Sequence, residues 1–350
     1  MKKALFIASL PYKKMSFDGE RNKSRDVLNA IKKMDDVKKI DIINYSKNKY
    51  IQTIKLLLKA IFHKYDFIFV SKCIVGGSVA IHILNKFKKH QNKICFYLIG
   101  NGYEGFEDKK IYFNDITKCK SVIVESPVVA ESMFKKGIDK HKMVIFPCIK
   151  PDYELNAVSK DYPLPGPLRI IFFSRINKLK GLDLLVDTII DINEHSKQTK
   201  FILDISGGVS NEPEVVSFNK EIIDICNRYD YLNNLNFTLR INGLESYKKL
   251  QQYDLHAFPS RFVQECAPGA IFDMFIAGVP TLSSNFPSSR FLMNEENSFF
   301  FEMNNKDDFK RTLLYIYDNQ YILNEKRRKS HENAKLYTEH AFIDILRTIL

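Results

Sequence analysis

Along the chain, short apolar runs alternate with longer stretches in which apolar positions recur every three or four residues. The runs 4–9 (ALFIAS), 38–44 (KKIDIIN), 66–71 (DFIFVS), 93–99 (KICFYLI), 121–125 (SVIVE) and 142–146 (KMVIF) read as strands. The helical period predicts helices near 21–34, 50–63, 77–89 and 127–136 between them. Regular βα alternation of this kind predicts a parallel sheet covered on both faces.

The alternation then stops. Residues 148–168 (CIKPDYELNAVSKDYPLPGPL) hold four prolines and a glycine, which suit neither helix nor strand. The stretch 151–166 is expected to link two domains. Beyond it the pattern restarts, with strands expected at 168–173, 201–205, 235–239, 254–258, 279–282 and 298–301. Helices are expected at 180–195, 213–229, 245–252, 268–277 and 306–318, with a helical tail to the end. Ligands of doubly wound sheets bind outside the carboxyl ends of the strands. A cleft between two such domains is a common ligand site.

Length supports two domains, since 350 residues exceed one ordinary core. Composition adds a direction. Lys and Arg number 53 against 41 Asp and Glu, a formal net charge of +12, so anionic partners are favoured. No nucleic-acid motif has the required spacing, so no nucleic-acid partner is expected. Six Cys lie far apart without a CxxC pair, which points to reduced, buried thiols in a cytoplasmic protein. The start, MKKALFIASLPYKK, has a signal-like apolar stretch, but Pro11 and the lysines follow it at once, and a first strand is the stronger reading. No apolar stretch approaches the ~18 residues a membrane span needs, so any membrane contact would be peripheral. The basic amphipathic segment 47–65 (KNKYIQTIKLLLKAIFHKY) either faces the core or rests on anionic lipid at the inner face of the cell membrane.

Two stretches carry candidate chemistry. In FSRINKLKG, 173–181, Arg175 and Lys180 follow a strand and open a helix. Guanidinium, ammonium and helix amides together could hold a diphosphate, or the turn could simply be a solvated basic loop. In FPSRFVQECAPGAIFDMFIAGVPTLSSN, 258–285, Glu265 lies on a loop and Asp273 eight residues later on a helix expected to begin at Pro268. These acids could accept hydrogen bonds from sugar hydroxyls, or Asp273 could be a first-turn acid favoured by the helix dipole. Elsewhere, His256 reads as a core residue. Glycines 76, 77, 100 and 102 read as turns or as a binding-site lining. The eight His have no metal spacing, and no DxD motif follows a strand. Neither an essential metal nor another cofactor is expected.

Together, FFSRINKLKGLDLLVDTI and FPSRFVQECAPGAIFDMFIAGVPTLSS resemble the donor-binding half of the retaining GT-B glycosyltransferases that use nucleotide sugars, the glycosyltransferase family 4-like group. LDISGG (203–208) and the segment 235–260 fit the same order. The resemblance covers about 165–320, and the first half matches only in layout. It implies an α/β GT-B fold of two Rossmann-like, doubly wound domains facing a cleft. Residues 1–150 would be the acceptor domain, 151–166 the linker and 167–320 the nucleotide-sugar domain. The helical tail, 321–350, would pack back on the first domain.

The resemblance further implies a transferase of the hexosyltransferase type, moving a sugar with retention from a nucleoside diphosphate, with UDP the expected nucleotide. The acceptor would be a glycan or a lipid-linked molecule in bacterial cell-surface polysaccharide or glycolipid synthesis. Arg175, Lys180 and Glu265 would be catalytic. Gly19, Gly207, Gly243, Ser260, Ala267, Pro268, Gly269, Ala270 and Asp273 would bind the donor, Asp273 through its ribose. Three departures stand out. The second acid is Asp rather than Glu, Ala267–Pro268 replaces Phe-Gly, and residues 98–107 (LIGNGYEGFE) lack the His many relatives carry there. Two alternatives share the fold, a nucleotide-sugar epimerase or hydrolase and a non-catalytic partner subunit.

Overall fold

In the first half, FIFVS (β3, Phe67–Ser71) and ICFYL (β4, Ile94–Leu98) are buried at every position. Continuous burial is what a strand meets when helices cover both faces of its sheet. The computed structural model describes residues 1–11, 19–71, 76–100, 114–235, 241 and 243–350. With β1 (Lys2–Ala8), β2 (Val37–Asn44), β5 (Ser121–Val124) and β6 (Met143–Ile145) these strands form a sheet of order β2-β1-β3-β4-β5-β6. The pairs are parallel throughout.

The second half builds another parallel sheet from β7 (Leu168–Phe173), β8 (Phe201–Ser206), β9 (Leu232–Asn234), β10 (Leu255–Phe258), β11 (Thr281–Ser284) and β12 (Ser298–Phe301). Its order is β12-β11-β10-β7-β8-β9. The chain winds outward from β7 through β8 to β9, then returns and winds outward from β10 the other way. The reversal falls between β7 and β10, which pair through Ile170–Leu255 and Ile171–His256. A crevice at the carboxyl ends of two such strands is where doubly wound sheets bind ligands.

The chain divides into two units, Met1–Asp152 with Leu336–Leu350, and Tyr153–Lys335. The stretch expected as a linker is folded into the second unit. Tyr162 and Leu164 pack on its core, the Tyr162 hydroxyl donates to Asp254 at 2.7 Å, and the Lys160 ammonium reaches the same carboxylate at 2.6 Å. The tail is shared between the units. In the helix Leu323–Ala334, Arg327 is fully buried in the second unit and donates to the carbonyls of Val158, Tyr253 and Gln251, each at 2.7 Å. The helix Glu339–Ile349 buries Phe342, Ile343 and Leu346 in the first unit's core, beside Phe6, Phe69 and Tyr97.

Two other expectations change. The third strand of the second sheet is Leu232–Asn234 rather than 235–239, and 236–240 lie outside the described residues. The helix Lys49–Phe62 turns only a narrow edge inward, Gln52, Leu56 and Ala60. Among the described residues five cysteines, Cys95, Cys119, Cys148, Cys226 and Cys266, are buried, and burial pushes the Cys95 thiol up to about 12. Cys73 and Gly102 lie outside the described residues. Among those residues, no helix is long and apolar enough to cross a membrane.

Candidate donor site at the β7–β10 junction

The segment after β7 is shaped by two short devices. Asn177 caps the turn Lys178–Lys180, its side chain accepting from the Lys180 amide at 3.0 Å. Gly181 then takes a left-handed conformation, φ +70°, and the helix Leu182–Glu194 begins. Only glycine fits there for a second reason. A Cβ on Gly181 would lie 2.0 Å from the carbonyl oxygen of Pro259, on the loop after β10.

That close approach brings the two loops together. Lys180, expected on a solvated turn or a phosphate site, is nearly buried, and its ammonium pairs with the Glu265 carboxylate. The same Glu265 oxygen accepts from the Ser260 hydroxyl at 3.1 Å. The rings of Phe258 and Phe262 lie 5.5 and 5.8 Å from the Lys180 ammonium, near enough for a cation–π contribution. The Arg261 amide donates to the Leu179 carbonyl at 2.8 Å, and its guanidinium holds Asp183 at 2.8 Å. Arg261 and Asp183 thus lock the loops, a pairing that no local pattern in the sequence reveals.

Arg175 leaves the same strand end but is exposed, with no hydrogen-bond or ion-pair partner among the described residues. Its loop is tied to the one after β8: the Ser174 and Ile176 amides donate to the carbonyls of Ser206 and Gly208 at 3.2 and 2.9 Å. Gly207 sits at that contact, where a Cβ would meet the Ser174 carbonyl at 2.0 Å.

The helix Gly269–Ala277 begins one residue later than expected. Pro268 is its N-cap, extended at ψ 123°, and Gly269 and Ala270 open the first turn. The first amides of any helix have no partner within it. Ala267 is buried just before the cap. Asp273 is no first-turn acid, because that turn carries none. It is buried one turn further in, and the Tyr247 hydroxyl donates to it at 2.9 Å. Tyr247 is a second contact that the sequence reading missed. Gly243, at φ +83°, precedes the helix Leu244–Leu250 that carries Tyr247. Gly19 opens the helix Gly19–Lys32 of the first unit.

So Lys180, Glu265 and Ser260 are in contact, Arg175 shares their sheet edge, and Asp273 stands on the adjoining helix with a partner of its own. Among the described residues no group of three or more His, Cys, Asp or Glu is placed to hold a metal ion. His256 is wholly buried in β10, with Thr281 Oγ1 3.1 Å from its Nδ1.

Residues 158–337, just over half the chain, match the family model of the glycosyl transferases group 1. The chain belongs to this glycosyltransferase family. Solved structures of low sequence identity share its fold. HepE of Anabaena, solved with UDP and glucose, is 14% identical with a TM-score of 0.73, covering 100% of this chain and 99% of HepE. Sucrose-phosphate synthase of Thermosynechococcus elongatus is 14% identical with a TM-score of 0.69, covering 99% and 98%. A glycosyltransferase of Rickettsia africae is 14% identical with a TM-score of 0.67, covering 99% and 97%. HepE has also been solved with UDP-glucose. No curated protein sequence gives a match. The glycosyltransferase therefore has the α/β GT-B fold, with two Rossmann-like units.

Proposed function

We propose that this glycosyltransferase moves a hexosyl group from a UDP-sugar to a hydroxyl of a glycan or lipid-linked acceptor, with retention of anomeric configuration. The setting is the cytoplasmic side of bacterial cell-surface polysaccharide or glycolipid synthesis. The observation that supports this best is the cluster at the β7–β10 junction: a lysine, a glutamate and a serine in contact, with an exposed arginine on the same strand end that has no partner among the described residues. The UDP and UDP-glucose bound to HepE support the choice of nucleotide.

In the proposed reaction the bond between the anomeric carbon and the β-phosphate oxygen breaks. A bond from that carbon to the acceptor oxygen forms on the same face. Negative charge gathers on the departing UDP, where Arg175 and Lys180 stabilise it. The acceptor proton passes to the leaving phosphate. Glu265, freed as Lys180 turns to the diphosphate, accepts hydrogen bonds from the sugar. Asp273 takes the ribose hydroxyls, and the amides of Gly269 and Ala270 face oxygens of the donor. Gly207, Gly243, Ala267 and Pro268 shape the donor surface. Two cationic side chains do the work a metal would do, so the rate is expected to survive EDTA.

The test is thermal stabilisation by UDP, GDP and ADP, followed by UDP release with and without acceptor. UDP is expected to raise the melting temperature most, since a ligand that binds only the folded state stabilises it. Release of UDP only when acceptor is present is the expected outcome. An epimerised or hydrolysed sugar would move the reading to an epimerase or hydrolase, and UDP binding without turnover to a non-catalytic subunit.

A further inference from the structure

We infer that the helix Lys49–Phe62 docks the protein on an anionic phospholipid bilayer. The helix is built the wrong way round for a globular core. It buries Gln52, Leu56 and Ala60, a narrow edge at four-residue spacing. At 100° per residue, the opposite side carries Ile51, Ile54, Leu58 and Ile61, exposed by 50, 58, 50 and 48%. Tyr50 and Phe62 close the stripe at its two ends, exposed by 70 and 74%. A core helix turns such a stripe inward. A contiguous apolar face left in water marks a surface that meets something.

The charges name the occupant. No Asp or Glu occurs between Asp41 and Asp66, while five Lys do. Lys59 is held by Asp41 at 3.2 Å. Lys47, Lys49, Lys55 and Lys64 are exposed around the stripe and at its ends. A second copy seated here would bring like charges together. Anionic headgroups would meet every one of these ammonium groups while the acyl boundary covers the leucine and isoleucines. Aromatic side chains at the ends suit the headgroup depth.

The surface is also preformed. The Asn48 side chain accepts from the amides of Tyr50 and Ile51 at 3.1 and 3.2 Å, and Lys89 donates to the Ile61 carbonyl at 2.5 Å. The helix therefore need not fold on binding, and its ordering adds no entropic cost at that step.

The experiment is co-sedimentation of the full chain with vesicles of phosphatidylcholine alone and of phosphatidylcholine with phosphatidylglycerol. Binding to the anionic vesicles is expected, weakening as salt rises. The double variant Ile54→Gln/Leu58→Gln should bind at least ~tenfold more weakly, with UDP stabilisation unchanged. The variants Lys49→Gln and Lys55→Gln should each weaken binding ~fivefold. The lysine variants leave the apolar stripe whole, so they carry the test if the double variant melts early. Equal binding to neutral and anionic vesicles would overturn the inference, as would a double variant that sediments like the parent. A dimer that the double variant dissociates, with no vesicle binding by the parent, would assign the face to a second copy instead.

Discussion

The ammonium of Lys180 is paired with the carboxylate of Glu265 across the junction of β7 and β10, with the two side chains only 7 and 11% exposed. Removing one partner leaves the other charged and nearly dry, at a cost of about 3–5 kcal/mol. Removing both relieves that cost. Lys180→Met and Glu265→Gln should therefore each lower stability in denaturant melts, and the double variant should recover much of the loss. The coupling energy is therefore expected to exceed either single loss. Under the proposed reaction all three should be inactive, because both groups would serve the donor. Single variants as stable as the parent would show that the pair holds nothing together.

Arg175 is the opposite case. It is exposed and without a partner among the described residues, so Arg175→Ala should leave stability within about 0.5 kcal/mol. If the guanidinium faces the leaving diphosphate, kcat should still fall by about 10²–10³. Arg175→Lys should recover only part, since a point charge cannot grip two oxygens as a fork does. Steady-state UDP release with folding controls reads this directly. Full activity in Arg175→Ala would remove the residue from the site.

Much of this arrangement was legible because its signals are local. Strands buried on both faces appear as unbroken apolar runs, as in β3 and β4, and Arg175, Lys180 and Glu265 follow the ends of β7 and β10 in chain order. What was missed depends on distant partners. Arg261 and Asp183 are 78 residues apart, and Tyr247 and Asp273 are 26 apart. The prolines of 151–166 did rule out regular structure there, yet Tyr162 finds Asp254 92 residues on and folds the stretch into a unit. β9 is LNN, without an apolar run, and exists through its pairing with β8. In Lys49–Phe62 the period revealed the stripe but not the direction it faces.

Glycine geometry separates packing from ligand contact. Gly181→Ala combines a left-handed φ with a Cβ 2.0 Å from backbone, and Gly207→Ala meets the Ser174 carbonyl at the same distance. Each should cost at least ~2 kcal/mol in thermal or denaturant melts. Gly19→Ala meets nothing within 4 Å and should melt like the parent. A loss of activity in that variant alone would report a ligand at the backbone. A Gly181→Ala protein that melts like the parent would contradict the close approach of the two loops.

Stability should fall with acid through a residue that takes no part in the chemistry. His256 is wholly buried, its Nε2 has no partner among the described residues, and burial lowers its pKa from 6.5 to about 3. The native chain thus holds a neutral ring while the unfolded chain takes up a proton below 6.5. The unfolded state binds more protons throughout that window, so stability is complete above it and is lost as pH falls towards the native value. The slope from this one group is about 1.4 kcal/mol per pH unit. His256→Leu removes the titration and leaves the apolar packing of β10. Urea melts from neutral pH down to about pH 5, above most carboxylate titration, should show a steeper decline in the parent than in the variant. Parallel declines would mean that the ring is reached by solvent or finds an acceptor for its second proton.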